Sequence, residues 1–243
     1  MKTVIVTGAS TGIGKGIARE FIKNGWNTVV NSITESRLRE AYSDLGNPAN
    51  VLLFAGDISD RQVSKGLVDA ARRRFGSVDV LVNNAGIFGL RPFLETEEDY
   101  VDQFYRNNFK STFFTTKEVI PDMLKAGGGS ILNIGSVLVD HAITGLPTTA
   151  AISIKGAIHA FTRQLAAEFG ASNIRVNAIA PGTIRTELQR KLGITDPDAA
   201  ANLSLLNRIG EPNHIARMAY EMSVNEFITG EVVNIDGGHV AGH

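Results

Sequence analysis

The sequence predicts one α/β domain spanning residues 1–243, built on a doubly wound parallel sheet of about seven strands with helices on both faces. Three observations predict it. Short apolar runs alternate with longer amphipathic stretches from end to end, the pattern of βαβ units. Some runs are nearly continuous rather than alternating, as in Val78-Asp79-Val80-Leu81-Val82, which suits strands covered on both faces. A glycine-rich turn directly follows the first strand and opens the first helix, the arrangement of Rossmann-like folds.

The strands are expected at Thr3–Thr7, Thr28–Asn31, Val51–Phe54, Val78–Val82, Ser130–Ile134, Arg175–Ile179 and Val232–Ile235. Helical spacing of apolar residues falls between them, near 13–24, 35–45, 60–75, 97–125, 150–169 and 212–222. Thr148 or Thr149, after Pro147, is placed to cap the helix near 150. No repeat or low-complexity linker divides the chain. The stretch from Pro181 to Pro212 lacks a clear element, and a segment of that length inside a domain reads as a lid over 183–211. Its leucines (Leu188, Leu192, Leu203, Leu205, Leu206) are spaced for short amphipathic turns, and Gly193 and Pro197 offer bends. The competing reading is a surface excursion packed on the core.

The chain has 243 residues, 43% of them hydrophobic, enough for a large core. Lys and Arg total 24 against 25 Asp and Glu, so no basic excess supports nucleic-acid or anionic-membrane binding. Cysteine is absent, which excludes disulfides and thiolate metal sites. No apolar run approaches the roughly 18 residues of a membrane span. The first strand starts at Thr3, leaving no room for a cleavable signal peptide, so a cytoplasmic protein is expected.

Thr7-Gly8-Ala9-Ser10-Thr11-Gly12-Ile13-Gly14 is the turn after the first strand. Gly8 permits a tight turn, Gly12 lets a pyrophosphate approach the backbone, and Gly14 allows helix and strand to pack closely. The helix N-terminus then offers free N–H groups and a positive dipole to phosphates. The spacing is Gly-x3-Gly-x-Gly, and alone it could be only a turn. Other features fall at the same strand ends: Asp57-Ile58, whose carboxylate could accept from an adenine amino group; Asn83-Asn84-Ala85-Gly86; and Pro181-Gly182-Thr183. Singly these read as a helix cap, turn residues and a strand stop; jointly they mark the ligand edge of an open sheet.

With these residues in view, the chain resembles the short-chain dehydrogenase/reductase superfamily, in particular the single-domain bacterial kind that includes acyl-carrier-protein ketoreductases. The resemblance runs from Thr3 to Gly238 and includes the Thr7–Gly14 turn, Asp57-Ile58, Asn83 to Gly86, Asn108, Ser136, Lys155, Arg175-Val176-Asn177, Pro181-Gly182, Ile228-Thr229-Gly230 and Asp236-Gly237-Gly238. It implies NADP or NAD as cofactor, held by Gly8, Ser10, Thr11, Gly12, Ile13, Gly14, Ser32, Arg37, Asp57, Ile58, Asn84, Ala85, Gly86, Lys155, Pro181, Gly182, Thr183, Ile184 and Thr186. It also implies hydride transfer between a secondary alcohol and a ketone, in a homodimer or homotetramer. By resemblance, Asn108 holds a relay water in a helix bend, Ser136 hydrogen-bonds the substrate oxygen, and Lys155 binds the nicotinamide ribose and lowers the pKa of a tyrosine four residues earlier.

That tyrosine is missing. Position 151 is alanine. Residues 151 and 155 share one helical face, so the spacing suits a phenol beside an ammonium, but alanine carries no proton. Tyr42, Tyr100, Tyr105 and Tyr220 lie in other segments, and Ser153 should face elsewhere. Losing a general acid costs roughly 10²–10⁴ in rate. Two readings follow: an enzyme inactivated by a Tyr→Ala change at 151, or a non-catalytic dinucleotide-binding sensor or scaffold.

The second strand ends Asn31-Ser32 without the acidic residue that would bind an adenosine 2′-hydroxyl, and Ser32, Thr34 and Arg37 could receive a 2′-phosphate. This favours NADP over NAD, although Thr11 stands where phosphate-preferring relatives carry a basic residue, and Arg37 could be merely solvated. Ser136, Leu138, His141, Phe88 and Arg91 are candidates for the substrate pocket. Arg91 could instead pair with Glu95 or Glu97, and His141 could be an exposed loop residue. His239 and His243 are four apart, but no third ligand accompanies them and no metal is expected.

Overall fold

The computed structural model describes residues 1–45 and 48–242. In chain order the elements are β1 (Thr3–Val6), α1 (Gly12–Lys23), β2 (Asn27–Ser32), α2 (Glu35–Ala41), β3 (Val51–Ala55), α3 (Arg61–Phe75), β4 (Val80–Asn83), α4 (Glu98–Phe104), a π-helical turn (Tyr105–Lys110), α5 (Ser111–Ala126), β5 (Gly129–Ile134), α6 (Thr149–Phe169), β6 (Ile174–Pro181), α7 (Glu187–Lys191), α8 (Pro212–Val224), β7 (Val232–Ile235) and α9 (His239–Gly242). Among the described residues the strands form one seven-stranded sheet, parallel throughout, in the order β3-β2-β1-β4-β5-β6-β7.

The strand sequences explain why both faces are covered. Successive side chains point to opposite faces. Val4 and Val6 join a core with Ile17, Phe21, Leu38, Ile215 and Met222, carried by α1, α2 and α8. Ile5, between them, joins a second core with Leu67, Val119, Met123 and Leu165, carried by α3, α5 and α6. Phe21, Trp26 and Tyr220 meet edge to face at the first core's rim, 5.1–6.3 Å between ring centres. Arg175 ties β6 to the end of α8. Its guanidinium donates to the carbonyls of Met222 (2.9 Å), Ser223 (2.6 Å) and Ile228 (3.0 Å), satisfying acceptors that a helix C-terminus leaves open.

Several boundaries differ from the sequence expectation. β4 begins at Val80 rather than Val78; just before it, Asp79 bonds Thr3 through both its N–H (2.9 Å) and its carboxylate (2.7 Å). The expected helix over 97–125 is interrupted by the π turn at Tyr105–Lys110. The stretch from Pro181 to Pro212 holds α7 and a 3₁₀ segment at Pro197–Leu203. Thr148 stands at the α6 N-cap but makes no side-chain capping bond; its hydroxyl turns towards the Leu146 carbonyl (3.5 Å). No described helix is long and apolar enough to cross a membrane.

Candidate active site

Strand order reverses between β1 and β4, and open α/β sheets bind ligands at such a reversal. The loops leaving these two strands are stitched together. The Thr7 hydroxyl accepts from the N–H groups of Asn84 and Ala85 (both 3.0 Å), and the Asn84 amide donates to the carbonyls of Thr7 (2.9 Å) and Gly8 (3.0 Å). Gly8 and Gly12 have φ of +63° and +52°, a region that only glycine enters freely. A Cβ on Gly8 would also lie 2.7 Å from the Ala85 Cα. Thr11 is the N-cap of α1 yet its side chain makes no capping bond, so the first-turn N–H groups stay available to an anion. Beneath the loop, the buried Tyr42 hydroxyl donates to the Ala9 carbonyl (2.7 Å), and burial raises its pKa well above the ordinary phenol value. Ser10 and Ser32 hydroxyls pair at 2.9 Å, and Arg37 projects exposed from α2 nearby in sequence.

The third contributor is the end of β5. Lys155, on α6, donates to the Ile134 carbonyl at 2.6 Å, and burial pulls its pKa down to about 8. Two residues further, the Ser136 hydroxyl accepts from the Leu138 N–H (3.2 Å). Ala151 lies one helical turn before Lys155 and is 1% exposed. Asn108 sits in the π turn, buried, with its side chain spent on the segment after β4. It accepts from the Ile87 N–H (2.7 Å) and donates to the Ile87 carbonyl (2.9 Å). The π turn packs on α6 through Phe109 and Phe161, whose ring centres are 5.9 Å apart. The crevice thus joins a phosphate-accepting helix terminus, a hydroxyl and an ammonium.

The residues singled out from sequence fall into two groups. Ser136 and Lys155 meet through Ile134–Ser136, and Gly8 to Gly14 meets Asn84 to Gly86. Thr186, N-cap of α7, packs over Gly12: a Cβ built there would lie 3.1 Å from the Thr186 methyl. Pro181 and Gly182 border β7, the Gly182 N–H donating to the Ile235 carbonyl (3.1 Å), and Thr183 accepts from Gly210 (2.8 Å). Others point elsewhere. The side chains of Ile58 and Ile184 enter the two cores. The Asp57 carboxylate accepts from the Ser59 N–H (2.9 Å), and the α3 cap is Asp60 instead. Arg91 stacks on Tyr100, 4.3 Å from the ring centre, rather than pairing with Glu95 or Glu97. His141 is half-buried against the His239 ring, 5.2 Å between centres, so it is not the exposed loop histidine. Phe88 and Leu138 are half-buried. His243 lies outside the described residues, and among those described no cluster of three or more His, Asp or Glu could hold a metal.

Two residues escaped the sequence reading. Lys15 lines a cavity of about 430 Å³ with Gly12, Gly16, Arg19, Arg185, Thr186, Glu187 and Pro212, beside the α1 N-terminus. His159, buried on α6, touches the Ser136 backbone. Its spacing of four from Lys155 was the available signal.

This fold and crevice define a dinucleotide-binding α/β protein. A family model for the short chain dehydrogenases matches residues 2–196. The 3-oxoacyl-[acyl-carrier-protein] reductase FabG of Thermotoga maritima is 33% identical over 242 residues, covering 98% of each chain. Among solved structures, ElxO with NADP bound superposes with a TM-score of 0.91 at 31% identity, covering 99% of both chains. A tyrosine-to-phenylalanine variant of ElxO has NADPH bound. The 3-ketoacyl-(acyl-carrier-protein) reductase of Brucella melitensis, complexed with NADH, gives 0.92 at 27% identity over 98% of both chains. The chain belongs to the short-chain dehydrogenase family of NAD(P)-dependent oxidoreductases.

Proposed function

We propose that the chain binds NADP in the crevice between β1 and β4 and serves the interconversion of a secondary alcohol and a ketone, with its proton-donor position filled by Ala151. One observation carries this reading: Ser136 and Lys155 are held at the end of β5, with position 151 one turn earlier on the same helix. When bound, the cofactor would donate a hydride to the ketone as NADPH, or take one from the alcohol as NADP⁺. The residues present suit it, because the α1 N-terminus is uncapped and Gly12 lets a pyrophosphate approach. Ser136 donates to the substrate oxygen, Lys155 orients the ribose, and Asn108 fixes the loop after β4. Phe88, Leu138 and His141 line the substrate side. The 183–211 segment covers the site. The exposed aromatic face of Tyr105 and Phe113, continued by Phe109 and Phe161, pairs with a second copy in a dimer or tetramer.

The test is Ala151→Tyr, assayed with NADPH against a panel of ketones. Restoring the general acid should raise turnover by roughly 10²–10⁴. No gain with any ketone, alongside intact NADP binding, would sink the catalytic reading.

A second reading is favoured by the near-complete burial of Ala151, which is 1% exposed. In that case the chain is a dinucleotide-binding sensor or scaffold, and Ala151→Tyr should destabilise the fold by overpacking, about 1–3 kcal/mol, without gain of turnover.

A further inference from the structure

We propose that His159 is a positioning residue for Ser136: a neutral imidazole, protonated on Nδ1, that fixes the peptide carrying the serine hydroxyl. The proposal rests on Ser136 meeting the substrate oxygen.

Four observations converge on it. His159 is 2% exposed and lies on the stripe of α6 that carries Ala151 and Lys155, at successive spacings of four. Its Nε2 accepts from the Ser136 N–H at 3.4 Å. A nitrogen that accepts cannot hold a proton, so the ring is neutral and its proton is on Nδ1. That leaves Nδ1–H a buried donor with no protein partner among the described residues, a cost the contact with Ser136 must offset. Finally, residue 135 must be glycine for the ring to fit, since a Cβ there would lie 2.2 Å from Nε2. Backbone and imidazole are therefore in direct contact, with no side chain between them.

The chain end of β5 is thus gripped twice from one helix. Lys155 holds the Ile134 carbonyl, and His159 holds the Ser136 N–H. Earlier in the strand Asn133 donates to the Thr162 hydroxyl (2.9 Å), extending the same seam. Together these contacts set the direction in which the Ser136 hydroxyl leaves the strand. The charged groups around the ring are Asp140, from the turn after Ser136, and Lys155 and Arg163 of α6. Burial is the strongest influence and lowers the imidazole pKa, Asp140 opposes it, and the two cations add to it. Protonating the ring would place an N–H against the Ser136 N–H and break the grip.

The test starts with the unmodified chain bound to NADP. Long-range proton–nitrogen NMR of the imidazoles, with His159 identified from the spectrum of His159→Gln, should give a neutral Nδ1–H ring at neutral pH. That state should persist below the ordinary imidazole pKa of about 6.5. A cation or an Nε2–H tautomer at neutral pH overturns the proposal. Next, His159→Leu should speed hydrogen exchange at the Ser136 amide by about tenfold, the size of one lost hydrogen bond, with NADP affinity unchanged. His159→Gln, which retains an acceptor, should restore most of the protection. Equal exchange in all three chains overturns it. In the Ala151→Tyr background, His159→Leu should lower kcat and leave the KM for NADPH unchanged, with His159→Gln recovering kcat. Both variants losing kcat in proportion to thermal stability would mean a structural role only. If Ala151→Tyr never turns over, the catalytic reading fails, and the NMR and exchange results still decide the place of His159.

Discussion

Burial leaves the Lys155 ammonium with a single protein acceptor among the described residues, the Ile134 carbonyl. A cation so placed is costly in the cofactor-free chain, which is why its pKa falls from 10.5 to about 8. The unfolded chain holds the proton more readily than the folded one. The resulting stability term is therefore fully favourable above 10.5 and is lost as pH falls towards 8. Lys155→Met should remove the penalty: at pH 7 the cofactor-free chain should gain about 1–2 kcal/mol, while NADP binding weakens about tenfold or more. Differential scanning calorimetry and titration calorimetry read the two effects; a loss of stability would contradict the burial argument. At the other end of the crevice, the NADP reading assigns Ser32, Thr34 and Arg37 to a 2′-phosphate. Titration should give NADP binding at least as tight as NAD, and Arg37→Ala should cut that preference by about tenfold, the worth of one charge-assisted bond. A clear NAD preference in the unaltered chain would reverse the phosphate assignment.

At the scale of elements, the π turn and the 183–211 segment matter most. The extra residue of the π turn, at Tyr105–Lys110, lets Asn108 leave the helical ladder's register and bond both polar groups of Ile87. The neck of the 183–211 segment is closed by the Ile184–Gly210 bridge and by Arg185, which pairs with Asp198 (2.6 Å) and Glu211 (2.9 Å). These ion pairs are exposed and add little stability, so their use is to hold the neck's shape. If the segment is a lid, its motion would lie beyond the neck, where Leu205 and Leu206 are 59% and 62% exposed and the Ser204 hydroxyl and Leu206 N–H both donate to the Gly237 carbonyl. Hydrogen exchange should slow across 186–206 when NADP is added. Unchanged exchange there, with protection around Gly12 alone, would mean the segment is not a lid.

For the whole molecule, the aromatic row on the α5 and α6 side is a contiguous apolar surface exposed to water. Tyr105 is 46% and Phe113 39% exposed, and Phe109 and Phe161 lie against them. A symmetric partner would cover this row on both copies. Phe113→Glu should convert the assembly to monomers in sedimentation velocity while NADP binding persists. An unaltered sedimentation coefficient, or a monomer before mutation, would count against this interface. His159 adds a global pH response. Because its pKa is lowered in the folded chain, the unfolded chain takes up a proton first on acidification. Its contribution to stability is present above the ordinary imidazole value and is lost as pH falls below it. His159→Gln should flatten that acidic slope in thermal melts.

The sequence alone determined the parallel sheet, its strand count and the dinucleotide crevice, because these rest on short-range rules. Apolar runs with helical stretches between them leave few alternatives, and a glycine turn between a strand and a helix has few uses. It also put residues 151 and 155 on one face of a helix, since a spacing of four fixes a shared face. Tertiary structure decided what depends on contacts between distant segments. The Asn84 side chain, expected at the cofactor, fastens two loops across 76 and 77 residues of chain. Ile58 and Ile184, expected at the cofactor edge, turn their side chains into the cores, because a strand end can turn its side chain either way. The π turn leaves no mark on the apolar pattern, since one extra residue scarcely alters it, and only the family resemblance pointed to a bend at Asn108. His159 could be read in sequence only as one more residue on a helix face. Its contact with Ser136 exists because β5 packs beside α6 and residue 135 has no side chain to keep the ring away.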